Sequence, residues 1–498
     1  MNQHNVLFIL TDQWRHNALG FCGDPLAHTP NLDRLAAGAS FFRHAFTSVP
    51  LCSPARGCLL TGRWPHQSGM EDNVGVGASQ QAGLSAEVRT WLEAARDHGY
   101  RVGYFGKWHL GHPGPSERGA QYIAEPADLQ GAEGGKEAAR ATESGELRSP
   151  FREQWLADVA RRRPDSFPPF YETLPGTMEE TQTGQVSAAA VRFLQEAASD
   201  SRPWFLTVSF RGPHFPHAVP EPYASLIDSA KVPLPENLYD DFRQKPWFQN
   251  RIWWPCHDTA HLDEEAWRKT SAAYYGMIAM LDEAIGRVLN AVAAADGGRP
   301  TTILFASDHG EMLGAHGRFD KGPYFYDEVM RIPLLIRPGE VGLPAREGSG
   351  QQPRWRDEYV SILDLGATLF SLAGETPQIP GRDLMPLVHG EWTGPWPQEA
   401  FGWYNYYNGH SFVMRSIRTP AYKYVFAPQA VDELYDLQAD PGELVNLASD
   451  PAHASKVTEL RQRLFAWMMQ EGDPLLEQWQ ELPPAGTLVD RLRAGSLI

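Results

Sequence analysis

Four short apolar runs, at residues 6–10, 204–210, 302–306 and 333–336, constrain this chain more than any other feature. None shows the apolar–polar alternation of a half-exposed strand, so each reads as a strand buried on both faces. Helix-period patterns lie between them, at 31–37, 88–98 and 272–292. Buried strands alternating with helices define an α/β fold: a large, mostly parallel sheet covered by helices on both faces. Ligands of such sheets sit beyond the carboxyl ends of the strands. The polar residues that follow each strand are therefore the first candidates for chemistry. After the first run come Thr11, Asp12 and Gln13; after the third come Ser307, Asp308, His309, Gly310 and Glu311. An apparent strand at 101–105 is followed closely by Lys107.

Residues 113–183 are rich in Gly, Pro, Glu and Arg and read as an insertion on the sheet edge, and the polar stretch 351–356 reads as a surface loop. Near 377–382 the chain is expected to leave a main domain spanning 1–376. Beyond it, β-like runs at 422–426 and 433–437 and a helix at 454–471 predict a smaller C-terminal α+β subdomain over 377–498. A formal net charge of −17 argues against nucleic acid as a partner, which demands a basic face. An anion pocket on such a chain must build its own positive field from cationic side chains, a metal or helix ends. Four cysteines (Cys22, Cys52, Cys58, Cys256) are too few for a disulfide framework. The start of the chain lacks the basic residues and long apolar run of a signal peptide. No apolar stretch approaches the roughly 20 residues that span a bilayer. These features predict a cytoplasmic protein with no membrane partner.

Asp12, Asp308 and His309 are metal candidates, because carboxylates with one imidazole suit a divalent ion such as Ca²⁺, Mg²⁺ or Mn²⁺. Aspartate after a strand also commonly caps the next turn. In Cys52-Ser53-Pro54-Ala55-Arg56, serine before proline is a helix-start signal, with Ser53 as N-cap and Pro54 as first helical residue. Cys52 is then expected at a positive helix end, where an anion is stabilised.

The segment Cys52-Ser-Pro-Ala-Arg56-Gly-Cys-Leu-Leu-Thr-Gly62 resembles the signature of the type I sulfatases, members of the alkaline phosphatase superfamily. Other segments agree in family order: the opening 6–13, Thr29-Pro-Asn-Leu-Asp-Arg-Leu35, Gly106-Lys-Trp-His-Leu-Gly111 and Pro213-His-Phe-Pro216. Ser307-Asp-His-Gly310 with Asp320-Lys-Gly322 follows, then Glu433-Leu-Tyr-Asp-Leu437 with Asp440-Pro-Gly-Glu443. The resemblance implies that a maturation enzyme oxidises Cys52 to formylglycine. It further implies one divalent metal, Ca²⁺ first and Mg²⁺ or Mn²⁺ as alternatives, on Asp12, Gln13, Asp308, His309 and the oxidised Cys52. Gln13 departs from the commoner second aspartate, and a neutral amide oxygen binds a cation more weakly. Arg56 and His109 would hold and polarise the modified residue. Lys107 and Lys321 would hold the sulfate oxygens, with Asn73 as a further substrate contact, and His214 would protonate the departing alcohol. His217 and the other three cysteines read as structural.

The activity implied is hydrolysis of an aryl or carbohydrate sulfate monoester to alcohol and inorganic sulfate. An aldehyde hydrate carries two hydroxyls on one carbon: one attacks sulfur, and the other, deprotonated by a base such as His109, expels sulfate. A serine or thiol lacks the second hydroxyl. A phosphonate monoester or phosphodiester hydrolase of the same superfamily is the nearest alternative. It shares the formylglycine and the Asp-Gln opening but lacks the Gly-Lys-Trp-His segment. A non-catalytic carbohydrate-binding protein on this fold would show decay of the nucleophile or ligands, and none is visible. The partners implied are a small-molecule or saccharide sulfate ester and the maturation enzyme; a homo-oligomer stays open. Aromatic clusters at 247–254 and 403–407 could serve as core, subunit contact or pocket wall.

Overall fold

The computed structural model describes residues 4–123, 170–253, 258–295, 298–340, 352–474 and 476. The strands in chain order are β1 (Asn5–Asp12), β2 (Ser40–Phe46), β3 (Arg101–Gly106), β4 (Gln121–Ile123), β5 (Tyr171–Leu174), β6 (Trp204–Pro213), β7 (His217–Pro220), β8 (Thr301–Ser307), β9 (Leu334–Glu340) and β10 (Arg354–Ser361). Eight of them form one sheet in the order β10-β2-β9-β8-β1-β6-β3-β4, and β5 pairs with β7 apart from it. Only β9 runs against its neighbours in the large sheet. Every residue of β1 and β8 is buried, as their unbroken apolar runs require.

Helices cover both faces. The Cys52 segment forms α2 (Cys52–Thr61), which packs with α3 (Trp91–Asp97) and α6 (Ile362–Leu372) around one apolar core. The opposite face carries α1 (Pro30–Ala36), α4 (Gln182–Ala197) and the long α5 (Glu264–Ala295) around a second core. All ten residues of α2 are buried. Each of its leucines contributes about 1.5–3 kcal/mol over leaving it in water.

A separate antiparallel sheet comprises β11 (Ala400–Tyr407), β12 (His410–Arg418), β13 (Tyr422–Phe426) and β14 (Glu433–Asp436), followed by α7 (Ala454–Glu471). β11 and β12 meet through Asn408-Gly409, with φ of 50° and 93°. Positive φ at both central residues is the two-residue hairpin turn for which Asn-Gly is the strongest short signal. The 403–407 cluster is mainly core, because Trp403, Tyr404 and Tyr407 are buried in β11. In the 247–254 cluster, Trp247 stays exposed against Phe248 and Trp253, and Trp254 lies outside the described residues.

Two expectations need correction. Residues 354–356 are not loop but the start of β10, parallel to β2 at the sheet edge. An edge strand with mixed exposure has no apolar signature to read. The stretch 113–183 is not purely insertion: β4 extends the sheet beside β3, Phe170 and Met178 are buried, and Gln182 begins α4. Residues 124–169 of that stretch lie outside the described set.

Candidate active site

Four adjacent strands, β8, β1, β6 and β3, run parallel and end together. Thr11 pairs with Ser307, Asp12 with Pro213, and Gly106 with Ser209. The residues just beyond these ends, Asp308 and His309, Gln13, His214 and Lys107, therefore emerge side by side. At Gly106, φ is 98° and a Cβ would stand 2.0 Å from the Ser209 carbonyl oxygen, so only glycine lets β3 end this close to β6.

Helix α2 brings Cys52 to these strand ends. Cys52 is the first helical residue and Leu51 the extended N-cap, so the expected Ser53 cap is not formed. The loops facing the helix recruit Ser53 instead: its hydroxyl donates to the His109 carbonyl at 2.6 Å and accepts from Val74 N–H at 3.1 Å. Pro54 sits in the first turn, where helical N–H groups have no partner and its missing donor is tolerated. Asn73 accepts the Ser53 N–H at 3.0 Å and donates to Asn408 at 3.0 Å. Both ends of its side chain are thus engaged in fixing the helix start and the β11–β12 turn.

Carboxylate, sulfur and imidazole ligand atoms of Asp12, Cys52, Asp308 and His309 all lie within 4.8 Å of one another. His309 Nδ1 donates to the Gly310 carbonyl at 2.8 Å, which fixes the tautomer and leaves Nε2 facing Cys52 Sγ at 3.3 Å. An imidazole oriented in this way is the usual form of a metal-ligating histidine. Burial opposes its protonation, yet Asp308 and Cys52 outweigh burial and pull its pKa up to about 9. The cluster thus attracts positive charge, and its donor set fits a divalent cation. Gln13 borders it: Lys321 Nζ donates to its Oε1 at 3.0 Å, and its Nε2 donates to Glu311.

Cations surround the cluster. Arg56, one turn along α2 from Cys52, donates to Asp308 at 2.8 Å, to Ser209 Oγ at 2.9 Å and to the Lys107 carbonyl at 2.9 Å. The guanidinium thus grips the Asp308 carboxylate and the chain just beyond β3. Lys107 pairs with Asp12. Burial alone would raise the Asp12 pKa, but Lys107, His214, Arg56 and His309 hold it well below the carboxylate range. Burial and Asp12 likewise push the Cys52 thiol up, and Lys107, Lys321 and His309 bring it below its ordinary value.

His214 donates from Nδ1 to the Phe215 carbonyl at 2.7 Å and accepts at Nε2 from Lys321 at 2.9 Å. Burial, then Lys321, keep its pKa well below that of a free imidazole. Burial opposes the charge on Lys321, but Asp320, Cys52 and Asp12 more than restore it. His109 is held neutral by burial and Lys107, and among the described residues its buried Nδ1 has no hydrogen-bond partner. Gln13, His109 and Asp320 have φ of 72°, 58° and 69°, a left-handed cluster of non-glycine residues around the functional side chains.

Several supporting residues were given no role by the sequence reading. Glu311 accepts from Gln13, from Leu313 N–H and from Asp320 N–H, and so ties three site loops together. Its position after β8 was the available signal. Tyr407 from the second sheet donates to the Lys321 carbonyl at 3.2 Å, and Asp72 accepts the N–H groups of Asn408 and Gly409. No local pattern announces contacts that span over 80 residues.

Comparison with known proteins agrees with this geometry. The sulfatase family model matches residues 4–375, and that of the N-sulphoglucosamine sulphohydrolase C-terminal region matches 314–470. The chain belongs to the sulfatase family, within the alkaline phosphatase superfamily, whose enzymes hydrolyse sulfuric esters. It is 30% identical to the uncharacterized sulfatase YidJ of Escherichia coli strain K12, over 97% of this chain and 91% of that protein. Its fold matches a 2-O GAG sulfatase with a TM-score of 0.73 at 22% identity, over 97% and 94% of the two chains. It also matches the phosphonate monoester hydrolase of Agrobacterium radiobacter with a TM-score of 0.70 at 25% identity, over 94% and 96%. Among the described residues no helix is long and apolar enough to cross a membrane.

Proposed function

We propose that this chain hydrolyses a sulfate monoester of an aryl or carbohydrate alcohol, with Cys52 matured to formylglycine. One divalent cation, calcium first with magnesium or manganese as alternatives, would be held by Asp12, Gln13, Cys52, Asp308 and His309. The observation that carries this reading is the convergence of four ligand atoms at the helix start that presents Cys52, inside a ring of Arg56, Lys107 and Lys321. When bound, the cation would neutralise charge on the sulfate oxygens and acidify a nearby hydroxyl. The matured residue, as an aldehyde hydrate, offers the two hydroxyls on one carbon that a thiol lacks.

The chain's own groups do the rest. Lys107 and Lys321 bind sulfate oxygens and remove the repulsion that keeps a nucleophile away. Arg56 holds Asp308 in place. His214, protonated from solvent before the ester bond breaks, passes that proton from Nε2 to the leaving oxygen. Neutral His109, with Nδ1 unengaged, accepts a proton from the modified residue. The catalytic unit is assigned to 1–376 and the C-terminal α+β subdomain to 377–498. Few cysteines, free among the described residues, support action in the cytoplasm.

Gln13 and the likeness to a phosphonate monoester hydrolase favour one second reading, a phosphonate or phosphodiester activity. A panel of aryl sulfate, sugar sulfates and phosphonate monoesters on metal-loaded, fully matured enzyme separates the two. Highest kcat/KM on a sulfate is expected; highest kcat/KM on a phosphonate would reverse the order.

A further inference from the structure

Arg211 stands at the carboxyl end of β6 and takes no part in the ring of cations described above. Its neighbours show which way it points. Phe210 belongs to the core shared with α5, and a side chain at Gly212 would meet Leu281 and Met277 of α5. Arg211 lies between them, where β6 shifts register against β1, so its Cβ is carried away from the α5 side that Phe210 and Gly212 face. The backbone sets it against the general acid: His214 N–H donates to the Arg211 carbonyl at 3.3 Å, and its charge is among those acting on the His214 imidazole.

Arg211 as a residue is partly buried, yet among the described residues its side chain makes no hydrogen bond and no ion pair. Other sequestered arginines are engaged: Arg118 with Glu93, Arg331 with His16 and Arg418 with Asp327. A partly buried, unpaired arginine interacts more strongly with an incoming anion than an exposed one. Its planar fork suits a carboxylate or sulfate in a two-point contact. On a chain of net charge −17 such a local cation is what an anionic substrate needs. In the proposed reaction the scissile sulfate belongs to Lys107 and Lys321, whereas His214 faces the leaving oxygen. Arg211, beside His214, lies on the leaving-group side.

We propose that Arg211 binds an oxyanion on the leaving alcohol, so that the preferred substrate is a sulfate ester whose alcohol carries a second acidic group. This inference rests on the sulfatase reading of the site. The test uses three sulfates of one sugar framework: a neutral hexose, the corresponding uronic acid and a disulfated hexose. The wild-type enzyme, matured and metal-loaded, is expected to favour at least one acidic member by roughly 10- to 100-fold in kcat/KM, the worth of a charged hydrogen-bonded contact. The favoured arm tells carboxylate from second sulfate. Arg211→Met should bring that ratio near one, chiefly through KM, and Arg211→Lys should keep part of it and serves if the methionine variant does not fold. Equal turnover of neutral and acidic members, or a ratio unchanged in both variants, would overturn the assignment and leave the sulfatase reading standing. Turnover of none of the three, nor of an aryl sulfate, would bring down both.

Discussion

Two buried charge clusters in this molecule look alike in composition and differ in geometry. One is the site at the strand ends. The other joins the two sheets, where Lys423 binds Asp327, Glu443 and the Phe325 carbonyl, and Arg418 binds Asp327 and Tyr359. In both clusters cations reach anions directly, but between the sheets those pairwise contacts are the whole arrangement. At the site, acceptors from three elements point at a common centre and the cations stand around it. Asp282 of α5 makes a third case, holding the start of α1 through the N–H groups of Asn31 and Leu32 and, among the described residues, in no ion pair. Burial drives its carboxyl up to about 7, whereas the cations between the sheets push that of Asp327 far down. Convergence, more than charge or burial, separates a centre built for a ligand from an ion network built to join two layers.

Removing a converging ligand should have the largest effect. Asp308→Ala is expected to lose both bound metal, by elemental analysis, and turnover. Full metal content in an inactive variant would deny that carboxylate its ligand role. Next comes His214, the proposed general acid. His214→Ala should slow sugar or alkyl sulfates about 10²–10⁴-fold, the usual range for proton transfer, and an activated aryl sulfate much less. A dependence on leaving-group pKa identical to wild type would move the role to Lys321.

Between the sheets the readout is stability. Lys423→Met leaves Asp327 and Glu443 short of a buried partner and is expected to cost about 3–5 kcal/mol in denaturant unfolding. A change under about 1 kcal/mol, as for a surface pair, would erase the contrast with the site. The smallest effect belongs to Asp282. A carboxyl whose pKa is raised on folding binds more protons folded than unfolded, so it contributes stability below pH ~4 that is lost as pH rises toward 7. Asp33 faces the same carboxyl and adds to the upward shift. Asp282→Asn should therefore flatten the stability–pH curve between those limits. A difference curve without slope there would show that Asp282 does not titrate in that window.

The converging cluster was largely legible in the sequence, because its members follow fully buried strands or sit in one compact motif. Asp12, Lys107, Asp308 and His309 follow strand ends, and parallel strands in one sheet bring such ends together. Cys52 and Arg56 lie one helical turn apart. The cluster between the sheets was not legible: Asp327, Arg418, Lys423 and Glu443 come from four segments, and no periodicity marks an ion pair formed only on docking. The edge strand β10 escaped because mixed exposure hides its pattern. β11 and β12 escaped although Asn408-Gly409 was a usable turn signal. The Ser53 cap was misjudged because a long-range partner, His109, outcompeted the local one.

The central claim is that Cys52, matured to formylglycine, is the group that makes this converging site hydrolytic. Quantitative peptide mass spectrometry at Cys52, on preparations matured to different extents and each assayed with an aryl sulfate, tests it most directly. Turnover per chain should rise in proportion to the formylglycine fraction and extrapolate to zero without it. Full activity in a preparation whose Cys52 is entirely thiol would contradict the claim.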